Sequence, residues 1–259
     1  MPEPDRAALL SCEEVTVRFG GLVALDTVHL TAATGQITGL IGPNGAGKTT
    51  LFNVLTGVLC PTTGRVHYDG RDIMSWAPHR RGRAGIARTF QRLELFIGLT
   101  VYDNLLSAWE ACIPGGVMGR QSREGRGHVD EVIERLGLQS IAMRPASELP
   151  TGQGRLVELG RAMCTNPRLL LLDEPSSGLD SAETERFRDV LLDLVSVDDI
   201  AILLVEHDMG LVMEVCDRIT VLDFGRVISV GTPDEVRNDP AVIAAYLGGP
   251  EVEMRAAVG

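Results

Sequence analysis

Hydrophobic and polar positions alternate near the start of this chain. Val15, Val17 and Phe19 are separated by polar residues, and so are Val28, Leu30 and Ala32. That period of two predicts two half-buried β-strands. A third strand, "QITGLI" from Gln36 to Ile41, runs into a glycine-rich loop and then an apolar helix that reaches Val58. "RVHYDGRDI" has the form of a hairpin with Asp69-Gly70 at its turn. From Asn104 the pattern becomes helical. Ile113 to Gly127, "IPGGVMGRQSREGRG", predicts a break, with helix resuming over Val129 to Leu136. Two later runs, "LLLLD" at 169–173 and "AILLV" at 201–205, are uniformly apolar. A strand without a polar face is buried on both sides, as in the middle of a parallel sheet. Asp217 to Val230 alternates as a closing antiparallel pair, "PDEVRNDPAVIAAYLG" reads as helical, and the final residues read as a loose tail.

Composition narrows this picture. A chain of 259 residues is long enough for one large α/β domain, or for a core with a small subdomain. The formal charge of −11 argues against nucleic acid as a partner, which needs a broad basic stripe. The local exception is "HRRGRAGIARTFQR", His79 to Arg92, whose five arginines read as a solvated helix face. The five cysteines are scattered without a C-x-x-C pair and read as small buried hydrophobes in a reducing compartment. Charges in "MPEPDRAALL" are unlike a signal peptide, and no apolar run is long enough to span a bilayer. The expectation is a soluble, cytoplasmic chain whose membrane role, if any, comes through a partner.

"GPNGAGKTT" fits G-x-x-x-x-G-K-[ST] and stands between a strand and a helix, as that motif requires. Gly42, Pro43, Asn44, Gly45, Ala46, Gly47, Lys48, Thr49 and Thr50 form it. The glycines let backbone amides curl around phosphates, with the helix N-terminus behind them. Lys48 would bridge the β- and γ-phosphates of ATP, and the Thr49 hydroxyl would ligate Mg²⁺. Asp173, ending a buried strand, can hold the metal's water shell. Glu174 can orient or deprotonate the attacking water. "VEHDM" puts His207 at the same sheet edge, where α/β folds bind ligands. Gln91 joins them only if its loop faces the phosphate.

Taken together, these residues resemble the nucleotide-binding subunit of ABC transporters over nearly the whole chain. The resemblance implies an α/β P-loop NTPase (RecA-like) ABC ATPase core with an N-terminal antiparallel β subdomain and an inserted α-helical subdomain. One domain would span 11–248, with the helical subdomain near 92–160 and a tail at 249–259. Phe19 is similar to the aromatic that stacks on adenine, although by itself it reads equally as a core strand residue. Gln91 is similar to the Q-loop glutamine, a γ-phosphate sensor and metal ligand beside Thr49 and Asp173. "SSGLD" resembles the D-loop, with Ser177, Gly178, Leu179 and Asp180 in it. His207 is similar to the H-loop switch. "FGGLVAL", "RTFQ", "VEHDM" and "AYLG" look most like the ATPases of branched-chain amino-acid importers. ATPases for urea, other hydrophobic amino acids and lipopolysaccharide export share much of that pattern. A soluble ABC protein acting on DNA or ribosomes, or a P-loop kinase, explains fewer of the motifs. The resemblance implies permease subunits and a second ATPase subunit as partners, a substrate-binding protein at one remove, and a place on the cytoplasmic face of the inner membrane.

The signature departs from the family pattern. Leu149, Pro150, Thr151, Gly152 and Gln153 occupy its five positions, with proline where serine is expected. Pro150 offers neither a hydroxyl nor an N–H to a phosphate. A hydrogen bond to a charged group contributes about 1.5–3 kcal/mol, so its loss would weaken ATP-driven closure about ten- to a hundredfold. Thr151 is expected to cap the following helix. Because a signature serves the ATP of the other subunit, the departure favours a heterodimer over a homodimer.

Overall fold

The computed structural model describes residues 8–112 and 120–247. The expected tail at 249–259 lies outside them, as does part of the expected break after Ile113. In chain order come strands β1 (Ala8–Phe19), β2 (Leu22–Ala33) and β3 (Ile37–Ile41), then helix α1 (Lys48–Leu55). Strands β4 (Thr63–Tyr68) and β5 (Arg71–Asp72), helix α2 (Pro78–Arg83) and strand β6 (Ile86–Arg88) follow. Helices α3 (Val101–Cys112), α4 (Arg120–Arg135) and α5 (Thr151–Met163) make a helical stretch. The chain then returns through β7 (Leu169–Asp173), α6 (Ser181–Asp198), β8 (Ala201–Val205) and α7 (Met209–Val215). It ends in β9 (Arg218–Asp223), β10 (Arg226–Gly231), α8 (Pro233–Arg237) and α9 (Pro240–Leu247).

Two sheets result among the described residues. The antiparallel one has the order β2-β1-β4-β5, and the larger one β10-β9-β3-β8-β7-β6. In the larger sheet every pairing is parallel except β9 with β10 at one edge. The uniformly apolar runs are β7 and β8, and their alternation splits between two cores. Leu169, Leu171, Ala201, Leu203 and Val205 face a core shared with α1 and the antiparallel sheet. Leu170, Leu172, Ile202 and Leu204 face a core shared with α3 to α7. Each fully buried leucine is worth about 1.5–3 kcal/mol, so neither face tolerates a polar residue. The Asp69-Gly70 turn has φ of 52° and 70°, the paired left-handed geometry of a tight hairpin.

Two sequence expectations change here. Helix α4 begins at Arg120, not at Val129. Gly125 lies in its interior, and a Cβ there would sit 2.4 Å from the Trp109 ring of α3. Close packing against Trp109 overrides the weak helix propensity of that segment. The arginine run is likewise no plain solvated face. Arg81 is buried and its guanidinium donates to the carbonyls of Val54, Leu55, Ile73 and Trp76. It thereby satisfies the open carbonyl end of α1. Arg81→Met should destabilise the protein by about 3–5 kcal/mol, because buried carbonyls lose a charged donor. Urea denaturation followed by far-UV circular dichroism would measure this.

Candidate nucleotide site

The loop between β3 and α1 is shaped by the strand end behind it. A Cβ on Gly42 would lie 1.9 Å from the carbonyl oxygen of Leu222 in β9, so the position admits only glycine. Gly225, in the β9–β10 turn, donates its N–H to the Ala46 carbonyl at 2.9 Å and ties the loop down. Gly47 caps α1 with φ 108° and sets no side chain over the first helical amides. Amides left open at a helix N-terminus suit an anion. Lys48 is buried, and its Nζ donates to the carbonyls of Gly42 and Pro43 at 2.5 and 3.1 Å. Thr49 beside it is exposed.

Parallel pairing brings the other half of the site to the same edge. Asp173 of β7 is in register with Val205 of β8, so the residues that follow both strands emerge together. Glu174 has a left-handed backbone, φ 50°, with its N–H donated to the Val205 carbonyl. Such a conformation costs a non-glycine residue about 1–3 kcal/mol and is concentrated at functional sites. The Glu174 carboxylate is held on both sides. Gln91 Nε2 donates to Oε2 at 2.8 Å, and His207 Nε2 lies 2.9 Å from Oε1. These three residues, with Gly42, Asn44 and Met209, line a polar cavity of about 330 Å³. Gln91 therefore does face the phosphate loop.

Several residues that the sequence reading passed over hold this trio. Glu206 is buried, and it accepts the N–H of Ser176 at 2.7 Å and of His207 at 3.1 Å. Burial pushes its carboxyl above the usual range. Arg155 and Glu158, one turn apart on α5, form a buried pair at 2.9 Å. Arg155 donates to the carbonyls of Phe90 and Gln91, while Glu158 accepts the Phe90 N–H. Two charges on an otherwise apolar helix face were the available signal. Tyr246, from α9, also lines the cavity; it lies in the "AYLG" stretch, which the sequence marked without giving the tyrosine a place in the site.

Hard oxygen donors suit Mg²⁺, and the three residues expected to hold it carry them: Gln91 lines the cavity, Asp173 ends β7 at the same sheet edge, and Thr49 is exposed just after Lys48. That donor set fits the metal. Burial raises the Asp173 carboxyl above the ordinary range, against the pull of a hydrogen bond from Arg88.

The segment expected to be the signature begins α5. Pro150 is the cap residue and Thr151 the first helical residue, so the expectation that Thr151 caps the helix is corrected. Proline keeps Leu149 extended, and the Pro150 carbonyl accepts the first helical bond, from Gly154. A Cβ on Gly178 would lie 3.0 Å from Thr151 Cγ2, so the threonine methyl packs towards the loop of Ser177, Gly178, Leu179 and Asp180. A Cβ on Gly152 would collide with the Glu183 carboxylate, which forms a reciprocal cap with Asp180. Gln153 Oε1 is buried without a partner among the described residues. Phe19 is half exposed at the end of β1.

The ABC transporter family profile matches residues 25–177 of this chain. The chain belongs to the ABC transporter ATPases. A second profile, "Branched-chain amino acid ATP-binding cassette transporter", matches residues 226–252 of this ABC ATPase. It is 40% identical over 249 residues to the branched-chain amino acid transport ATP-binding protein BraF of Pseudomonas aeruginosa, and 41% identical over 249 residues to LivG of Escherichia coli. Each alignment covers 93% of this chain and 98% of the relative. The lipopolysaccharide export protein LptB of Haemophilus influenzae is 34% identical over 241 residues, again 93% and 98% of the two chains. Among solved structures, an ABC transporter cassette in its ADP conformation superposes with a TM-score of 0.84 at 33% identity, covering 94% of this chain and all of that one. A bacterial cassette solved as a dimer gives 0.77 at 25% identity, covering 86% and 98%.

Glu206→Ala leaves two backbone N–H groups without their acceptor and frees His207 to drift. We expect the ATPase kcat to fall by about tenfold or more while affinity for a fluorescent ATP analogue changes by less than about threefold, given that each lost charged bond is worth about 1.5–3 kcal/mol. Steady-state hydrolysis alongside equilibrium fluorescence checks it.

Proposed function

We propose that this ABC ATPase powers an importer of branched-chain or other hydrophobic amino acids, bound to permease subunits at the cytoplasmic face of the inner membrane. The observation that carries the cargo class is the match of residues 226–252 to the branched-chain profile. The more distant likeness to LptB supports lipopolysaccharide export as a second reading. No described helix is long and apolar enough to cross a membrane, in keeping with attachment through other subunits. Phe90, Phe96 and Ile97, exposed beside Gln91, offer an apolar surface for that contact.

ATP enters between the phosphate loop and the cavity wall, with the adenine on Phe19. The loop amides and Lys48 hold the β- and γ-phosphates. Thr49, Gln91 and Asp173 would hold Mg²⁺, which when bound supplies charge neutralisation on the phosphate oxygens. Glu174 orients the attacking water, and its contacts to Gln91 and His207 fix where that water stands. The two contacts that hold the carboxylate favour placement of the water as its main contribution. His207 and Gln91 give the site two reporters of the γ-phosphate, one beside the signature-side loop and one beside the permease-facing surface.

The partner ATPase is different from this chain. Pro150 removes the hydroxyl a phosphate would meet, and the Thr151 methyl packs towards Gly178. This chain's own phosphate loop would meet an intact signature only on another subunit. Pro150→Ser with Thr151→Gly should therefore strengthen self-association with a non-hydrolysable ATP analogue by about ten- to a hundredfold, read by light scattering. No gain would speak for a homodimer that works without the serine. The cargo reading is tested in proteoliposomes carrying the co-purified permease. ATP-dependent leucine uptake is expected, and lipopolysaccharide extraction without uptake would favour the second reading.

A further inference from the structure

Arg88 belongs to the arginine run that the sequence marks, and it opens the "RTFQ" stretch, in which only Gln91 was given a role. It ends β6, three residues before Gln91, and alternation puts it on the same face as Ile86, over α1. Its side chain is 9% exposed, and that of Asp173 is 5% exposed. The guanidinium is fully committed in direction. One terminal nitrogen donates to Asp173 Oδ2 at 3.1 Å, and the other donates to Asn53 Oδ1 on α1 at 2.7 Å. Phe52 and Phe90 flank the cation, with ring centroids at 5.5 and 5.0 Å. Arg88 Nε is buried without a partner among the described residues, so the two terminal nitrogens carry the attachment.

We propose that Arg88 is a positioning residue for the metal-side carboxylate, fixing Asp173 through Oδ2 and linking it to the helix behind the phosphate loop and to the strand that leads into Gln91. The inference rests on the reading of Asp173 as the carboxylate that serves Mg²⁺. Three features make the link specific. A planar fork joins two acceptors on different elements at once, which a point charge cannot do. Two aromatic rings lie against the fork, and its ion pair with Asp173 is largely buried, where it is less screened than at the surface. The same strand then carries Gln91 to the Glu174 carboxylate, so displacement of the Gln91 segment and displacement of Asp173 are mechanically joined through three residues. Partners that orient a metal-binding group from behind are typically worth about 10–100-fold in metal affinity.

The test separates metal binding from nucleotide binding. Affinity for a fluorescent ATP analogue is measured with excess EDTA and with excess Mg²⁺, and the ratio gives the gain that the metal confers. Arg88→Met should shrink that gain by about tenfold or more, leaving the EDTA affinity within about threefold, while Arg88→Lys recovers part of the gain. A purely structural arginine would lower both affinities together and leave the ratio unchanged, which would overturn the proposal. A larger gain would also overturn it, because Arg88 would then be only a competing cation. Asn53→Ala releases the other arm of the fork and should reduce the gain in the same direction by about threefold; an unchanged ratio there overturns the proposal even if Arg88→Met does not fold. Asp173→Asn is the control for the underlying reading. If it leaves the gain intact, the metal-side assignment fails and the Arg88 proposal fails with it. If it abolishes the gain while Arg88→Met does not, only the Arg88 proposal fails.

Discussion

Burial of β7 and β8 on both faces is the constraint on which the rest depends. Neither strand can present a polar side chain before its end, so every chemical group they carry is delivered at one edge. Their parallel register, Asp173 opposite Val205, then places Glu174 next to Glu206 and His207. The phosphate loop leaves the neighbouring strand β3 at that same edge, pressed against the Leu222 carbonyl of β9. Packing energy spread over two cores thus fixes positions that a few hydrogen bonds alone could not hold.

The site is built from paired supports. Glu174 lies between Gln91 and His207, while the backbone of each partner is gripped from a different direction. Arg155 and Glu158 of α5 hold the Gln91 segment, and Glu206 holds His207 together with Ser176, at the start of the loop proposed as the D-loop. A shift of α5 is therefore felt at Gln91, and a shift of the D-loop is felt at His207. This offers a physical route by which the signature region and the carboxylate inform each other, independent of whether Pro150 contacts phosphate.

Much of this was legible in residue patterns. The phosphate loop has a spacing dictated by backbone curvature, and "LLLLD" announces both its burial and its polar end. The Asp69-Gly70 hairpin follows from turn chemistry alone. What escaped depended on distant contacts. Helix α4 starts early because Gly125 packs on Trp109, a partner sixteen positions back that no local propensity encodes. Arg81 and Arg88 looked like a solvated run because sequence spacing does not show that one caps α1 and the other meets Asp173. Tyr246 reaches the cavity from the last described helix, and "AYLG" marks it as a family resemblance without placing it beside the phosphate loop. Thr151 became the first helical residue because the proline before it took the cap.

The central claim is that the carboxylate between Gln91 and His207 places the water that cleaves ATP. The most direct measurement compares ATP hydrolysis with ATP affinity in Glu174→Gln, which keeps the shape and removes the charge. The account predicts a loss of about a hundredfold or more in kcat, the scale on which positioning and proton transfer act, with nucleotide affinity unchanged within about threefold. Hydrolysis within a few-fold of the original protein would contradict it.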